Sequence, residues 1–137
     1  MKGKIIMENE RLSDAELDII RVLWKKGTPM KASEITKALA GVHSWKTQTV
    51  HVLLSRLCAK GYVDADRSGY FHKFFPTMTE EEYIVSESYT LCGKMGRSVP
   101  AMVASLISAD GISEKEIDEL TQLLESKRRE LSGKKEG

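Results

Sequence analysis

One local pattern recurs three times in this chain and sets where three helices begin. It is an apolar residue, a Ser or Thr, a Glu three places on, and a second apolar residue. LSDAEL (Leu12 to Leu17), MTEEEY (Met78 to Tyr83) and ISEKEI (Ile112 to Ile117) all carry it. Each reads as a capping box inside a hydrophobic staple. The hydroxyl accepts from the N3 amide, the Glu carboxylate reaches back to the N-cap amide, and the flanking apolar pair closes over them. Each cap contributes about 1 kcal/mol, and helices are expected to start at residues 14, 80 and 114.

The first of these helices is expected to end before Gly27. Leu17, Ile20, Leu23 and Trp24 form its inner face, widened by Ile19 and Val22. Thr28-Pro29 breaks the chain. A short helix over 33–40 follows, with Ile35 and Leu39 inward and Gly41 as its stop. The next stretch, SWKTQTVHVLLSRLCAKGYV (Ser44 to Val63), holds Val50, Leu53, Leu54, Leu57 and Cys58 at i, i+3, i+4, i+7 and i+8, with Gly61 ending the helix. Cys58 on that stripe reads as a buried, reduced thiol. After Gly61 the period changes. YVDAD and YFHKFF are two short β-like runs about an Arg67-Ser68-Gly69 turn, the second stopped by Pro76, which predicts a hairpin. Three helices followed by a hairpin is the order of a winged helix-turn-helix.

The outward side of the third helix is unusual. A solvated helix face ordinarily carries Glu and Lys, yet no acid lies between Ser44 and Tyr62. Gln48, Thr49, His51, Val52, Ser55 and Arg56 point away from the apolar stripe. Phosphates would repel acids. Gln can bond adenine bidentately, and an aliphatic group can pack on the thymine methyl. Thr47, Gln48, Thr49 and Val52 lie in the first half of the helix, the end a recognition helix inserts. Lys46, Arg56 and Lys60 are expected at phosphate oxygens, as are Arg67 and Lys73 on the hairpin. Residues 43–75 hold five Lys or Arg against two Asp, a local +3. Blander readings stand beside these. Val52 also fits the cover of a neighbouring helix, His51 a plain surface residue, and Trp45 a packing anchor as well as a DNA contact.

The overall charge of +1 conceals an asymmetry. Residues 1–76 carry 13 Lys and Arg against eight Asp and Glu, net +5, while residues 77–137 carry eight against 12, net −4. A basic front half suits a polyanion, and the acidic back half has another task. The back half is expected to be helical over 80–94, 99–108 and 114–131, followed by a disordered tail, SGKKEG. VPAMVASLIS, residues 99–108, is nearly all apolar, and a helix of that kind must be covered on all sides. The second reading of this segment is the core helix of one larger domain. Tyr83 and Tyr89 fit an effector pocket as well as dimer packing.

A mainly α chain with a small β-hairpin is therefore expected: an N-terminal tail (1–11), a winged-helix domain (12–77), a helical region (78–131) and a disordered tail (132–137). No run approaches the roughly 18 apolar residues of a membrane span. The N-terminus lacks a signal-peptide core, and a cytoplasmic location is expected. Neither Cys58 nor Cys92 belongs to a CxxC pair, and His43, His51 and His72 are not at ligand spacing. No metal, cofactor or catalytic residue is expected, and no residue set supports an enzyme.

LSDAELDIIRVLW, WKTQTVHVLLSRLCAKGYV and ISEKEIDELTQLL resemble the penicillinase-repressor (BlaI/MecI-type) transcriptional regulators over about residues 10–131. The most specific part is Trp45, Thr49-Val50 and Ser55-Arg56-Leu57 leading to Gly61. The resemblance implies a homodimeric repressor that binds a palindromic double-stranded operator through its winged helix and is relieved by a signal. It implies that Gln48, Thr49, His51 and Val52 face DNA. His51 and Val52 stand where the best-known members have arginine and threonine, which implies a different operator. It places dimerisation on the rear helices, with Tyr83, Leu91, Val99, Met102, Val103, Leu106, Ile107, Ile117, Leu120 and Leu124 as candidates. In the family a protease or sensor pathway cuts an Asn-Phe bond; the equivalent bond here is Ser105-Leu106, without that pair. A copper-responsive branch carries a C-terminal cysteine cluster, and this chain has no cysteine after Cys92. The alternative is a winged-helix adaptor that docks on protein rather than DNA.

Overall fold

The structure is a computed structural model and describes residues 11–136. Of the tail expected over residues 1–11, all but Arg11 lies outside that range. Six helices and one hairpin follow in order: α1 (Asp14–Lys26), α2 (Ala32–Ala38), α3 (Thr47–Lys60), β1 (Val63–Asp66), β2 (Lys73–Pro76), α4 (Glu80–Met95), α5 (Val99–Ser108) and α6 (Glu114–Glu136). The chain divides into two compact units, one up to Thr90 and one from Leu91.

All three predicted caps are made. Glu16 N donates to Ser13 Oγ (3.2 Å) and Ser13 N to Glu16 Oε1 (2.9 Å). Thr79 and Glu82 repeat the exchange at α4, and Ser113 and Glu116 at α6. The helices therefore start at 14, 80 and 114 as the pattern requires. Gly27 and Gly61 end α1 and α3 in the left-handed region, at φ 78° and 89°, where a Cβ would be strained.

The core lies wholly in the first unit. Ile19, Ile20 and Leu23 of α1, Ile35 of α2, and Val50, Leu53, Leu54 and Leu57 of α3 meet Tyr62, Val63, Phe74 and Met78. Ile19, assigned to the margin of α1 from sequence, is completely buried, while Leu17 and Trp24 are only partly so. Leu54 sits at the centre. Leu54→Ala is expected to cost about 2–5 kcal/mol, because the cavity can collapse only in part; urea unfolding of the two proteins measures it.

β1 and β2 pair antiparallel with Val63 opposite Pro76 and Asp66 opposite Lys73. Phe74 also exchanges both backbone bonds with Met30 (2.7 and 3.0 Å). This third rung, from the loop after α1, ties the wing to the helices. The second strand is shorter than the run YFHKFF suggests. Ser68 N and Oγ both donate to Asp66 Oδ1 (3.0 and 2.7 Å). The chain turns there, and Tyr70, Phe71 and His72 fall in the loop. α2 ends at Ala38 rather than near Ala40, since the amides of Val42 and His43 both close onto the Leu39 carbonyl.

Two further expectations change. The first unit takes in α4 as far as Thr90, whereas the domain boundary was expected after Thr77. Tyr83 causes this by packing against Trp24 and Tyr62, at ring-centroid distances of 5.5 and 6.0 Å. Trp24 Nε1 also donates to the Met78 carbonyl (3.0 Å). The tail expected to be disordered from 132 continues α6 as helix through Glu136. Lys127 and Lys134 flank Glu130 at i−3 and i+4, 3.0 and 4.0 Å away, the spacing at which opposite charges support a helix.

Candidate nucleic-acid interface

α3 buries one face and offers the other. Val50, Leu53, Leu54 and Leu57 are buried, while Gln48, Thr49, His51, Val52, Ser55 and Arg56 are exposed. Val52 is 48% exposed. No acid stands in the first turn, and no side chain caps it: the N-cap is Lys46, and it makes no side-chain cap bond. The first-turn amides and the positive end of the helix thus face outward, an arrangement that suits a phosphate. Lys46 is exposed and Thr47 half-buried beside them.

The wing lies beside this face. The His51 ring stands edge-on to Phe74 of β2, with centroids 6.4 Å apart. Arg67 and Lys73 on the hairpin are exposed. Glu34 on α2 reports the local field. Its carboxyl is held below the usual range first by the Lys31 amide it accepts (2.8 Å), then by the charges of Lys31, Lys26 and Lys73. Sequence reasoning missed Lys31. It lies 42 positions before Lys73, and only the Met30–Phe74 rung brings the two segments together.

Two candidates have other work. Lys60 Nζ is bonded to Glu16 Oε1 (2.6 Å) and to the Arg11 carbonyl (2.9 Å). It pairs a buried carboxylate, and the sequence could not show this because the partners are 44 residues apart. Trp45 is half-buried against the core and stacked on His43 at 3.7 Å, with the rings 3° from parallel. His43 in turn meets Asp18 Oδ2 through Nε2 (2.8 Å). Trp45 is the anchor that delivers the chain into α3. Cys58 is half-buried, and burial pushes its thiol pKa up, with Arg67 opposing in part.

The helices behind the hairpin are organised differently. Neither α4 nor α5 contains a fully buried residue. Leu91, Val99, Val103, Leu106, Ile107, Ile117 and Leu124 are exposed, Leu106 at 71%, and Met102 and Leu120 are half-buried. Among the described residues, none of α5 is fully buried. Tyr83 is the exception among the dimerisation candidates, being packed on the winged-helix core. Ser105 Oγ donates to the Ala101 carbonyl (3.2 Å) within α5, so the Ser105–Leu106 bond sits in regular helix. Among the described residues no helix is long and apolar enough to cross a membrane.

Three helices, a two-stranded wing and an acid-free outward helix define a winged-helix DNA-binding protein. The family model described as penicillinase repressor matches residues 12–126, and the chain belongs to the penicillinase repressor family. It is 30% identical over 116 residues to the penicillinase repressor of Bacillus licheniformis, covering 84% of this chain and 90% of that one. It is 23% identical over 124 residues to the methicillin resistance regulatory protein MecI of Staphylococcus aureus strain N315, covering 88% and 100%. Among solved structures, the DNA-binding domain of the repressor BlaI is 30% identical with a TM-score of 0.48, covering 59% of this chain and 94% of that one. The Bacillus licheniformis BlaI monomer in complex with the blaP half-operator is also 30% identical, with a TM-score of 0.45 and coverage of 53% and 88%.

Proposed function

We propose that this chain represses transcription as a homodimer, each copy laying the outward face of α3 in the major groove of one half of a two-fold symmetric operator. The outward face of α3 carries this reading: six exposed positions without an acid, beside a helix start that no side chain caps and a wing that exposes Arg67 and Lys73. Gln48, Thr49, His51 and Val52 read base edges. Lys46, Arg56, Arg67 and Lys73 meet phosphates and set the register. The domains follow this division, with a winged-helix head and a helical dimerisation region behind it.

A single head neutralises few phosphates and binds weakly at physiological salt. Two heads joined through the rear helices make the second contact intramolecular. The exposed apolar side chains of α5 and α6 supply the surface for that joining, since patches of this kind mark association sites. Induction then needs only a signal that parts the two copies, either an effector or proteolysis at Ser105–Leu106. For proteolysis α5 must first open locally, because a cleavage site is cut in its transiently opened form.

Gel shifts with duplex from upstream of the gene test the DNA contact. Affinity is expected to fall steeply with salt. Arg56→Glu is expected to weaken binding to all sequences alike. Gln48→Ala is expected to cost about 1–3 kcal/mol on the operator and to relax preference at one base pair. Salt-independent binding, or unchanged binding by the Arg56→Glu protein, would return the chain to the class of protein-docking adaptors.

A further inference from the structure

One line of charged side chains joins α3 to α4. Lys60, the last residue of α3, donates from Nζ to the buried Glu16 Oε1 on α1 (2.6 Å) and to the Arg11 carbonyl (2.9 Å). Arg11 in turn donates from Nη2 to Glu87 Oε1 on α4 (2.8 Å). Two carboxylates and two cations make up the line, and the Arg11 carbonyl accepts from Lys60 between them.

The burial of α4 shows where this contact falls. Between Glu80 and Thr90 only Tyr83, Glu87 and Thr90 are not exposed. They stand at i, i+4 and i+7, which is one stripe of a helix. Tyr83 packs on Trp24 and Tyr62, and Glu87, one turn further on, meets Arg11. Burial pushes the Tyr83 hydroxyl pKa up, the Glu87 charge adds to this, and Arg11 opposes it. Thr90 closes the first unit, so Glu87 stands in the last turn by which the head holds α4. An exposed ion pair adds little to stability, because two long side chains must be ordered in water. Here the Glu87 side chain is only 24% exposed, and the Arg11 main chain is already held by Lys60.

We propose that Arg11 and Glu87 are positioning residues: they fix α4 against the end of α3 and thereby set the separation of half-sites that the dimer accepts. This rests on the bivalent reading and adds to it the side chains that hold its geometry. A second head gains from its tether only where the connection spans both sites. Half-site spacing is therefore a property of the protein's own geometry. One added base pair moves a half-site by about 3.4 Å and turns it by about a tenth of a turn. A stiff join between α3 and α4 penalises that displacement, and a loose one tolerates it.

The experiment uses the full chain and duplexes from upstream of the gene, in which the protected half-sites are moved together or apart in single base-pair steps. Gel shift gives the affinity at each spacing, and the wild type is expected to prefer one. Arg11→Glu sets like charges against each other across the contact, as does Glu87→Arg. In each, the preference over neighbouring spacings is expected to fall about three- to tenfold, since both copies carry the pair and its effect counts twice. Affinity for an isolated half-site, self-association and the melting temperature are expected to stay close to the wild type. The exchanged double variant, Arg11→Glu with Glu87→Arg, is expected to restore the preference, because residues in contact are coupled. A contact that merely stabilised the fold would not move the spacing profile. An unchanged profile in both single variants, or a double variant that fails to restore it, would overturn the assignment while leaving the bivalent reading intact. Loss of half-site binding or of self-association would overturn it too, giving the pair to the head's own fold or to the contact between copies. A wild-type chain that binds every spacing equally would sink the assignment and the bivalent reading together.

Discussion

Placing carboxylates on the apolar face of α5 is expected to separate the two copies and to lower operator affinity by about 10²–10⁴-fold. Val103→Asp with Ile107→Asp does this on positions that are exposed in the lone chain, so the winged-helix head, whose core lies elsewhere, keeps its fold. In the proposed dimer two heads bind one operator with the second contact intramolecular, and parting them returns each to single-head affinity. Sedimentation reads the change from dimer to monomer, and gel shift reads the loss. Binding to an isolated half-site is expected to stay as it was, because no residue of α3 or the wing is altered. A wild-type chain that sediments as a monomer at micromolar concentration, or a charged variant that keeps full operator affinity, would refute the bivalent mechanism.

The second large effect concerns Glu16, the one buried charged residue among those described, at 1% exposure. Its carboxylate serves two structures at once. It closes the capping box of α1 by accepting the Ser13 amide, and it accepts the Lys60 ammonium from the end of α3. Glu16→Ala removes the buried acceptor of both the Ser13 amide and the Lys60 ammonium, leaving Lys60 with the neutral Arg11 carbonyl. A loss of about 3–5 kcal/mol in stability is expected, measured by urea unfolding. Lys60→Met combined with Glu16→Gln is expected to recover much of it, since an uncharged pair avoids the desolvation that ionisation demands. A double-mutant cycle that shows no coupling between the two positions would sink this account.

The same site sets a pH dependence. Burial pushes the Glu16 carboxyl up, but the Lys60 bond, the Ser13 amide and the Lys60 charge together outweigh it, and the net displacement is downward. The folded state thus releases the proton more readily than the unfolded chain. Its contribution to stability is present above the unfolded carboxyl's pKa and fades as pH falls through the lower, folded value. Wild-type stability is therefore expected to decline through the acidic carboxylate range, and the neutral double variant is expected to decline less.

Helix starts were legible because a capping box is a local contract: Ser13 with Glu16, Thr79 with Glu82 and Ser113 with Glu116 need nothing beyond three residues of spacing. The amphipathic period of α3 was legible for the same reason, and with it the acid-free outward face. Family membership followed from residues that sit on that helix and at those caps. The wing was legible as two runs about a turn, but not its tip, because the Asp66–Ser68 bonds that end β1 decide whether Tyr70 and Phe71 pair or project.

The amino-acid order by itself determined which residues share a face and where each helix begins, since both depend on interactions within a turn or two. Only the tertiary structure decided what each face meets. It gave Lys60 the partner Glu16, stacked Trp45 on His43, drew Tyr83 into the head beside Trp24 and Tyr62, and brought Lys31 over Phe71. These pairs are separated in sequence, apart from the near neighbours His43 and Trp45. Their meeting depends on burial and close packing across the whole head, which no periodicity along the chain encodes.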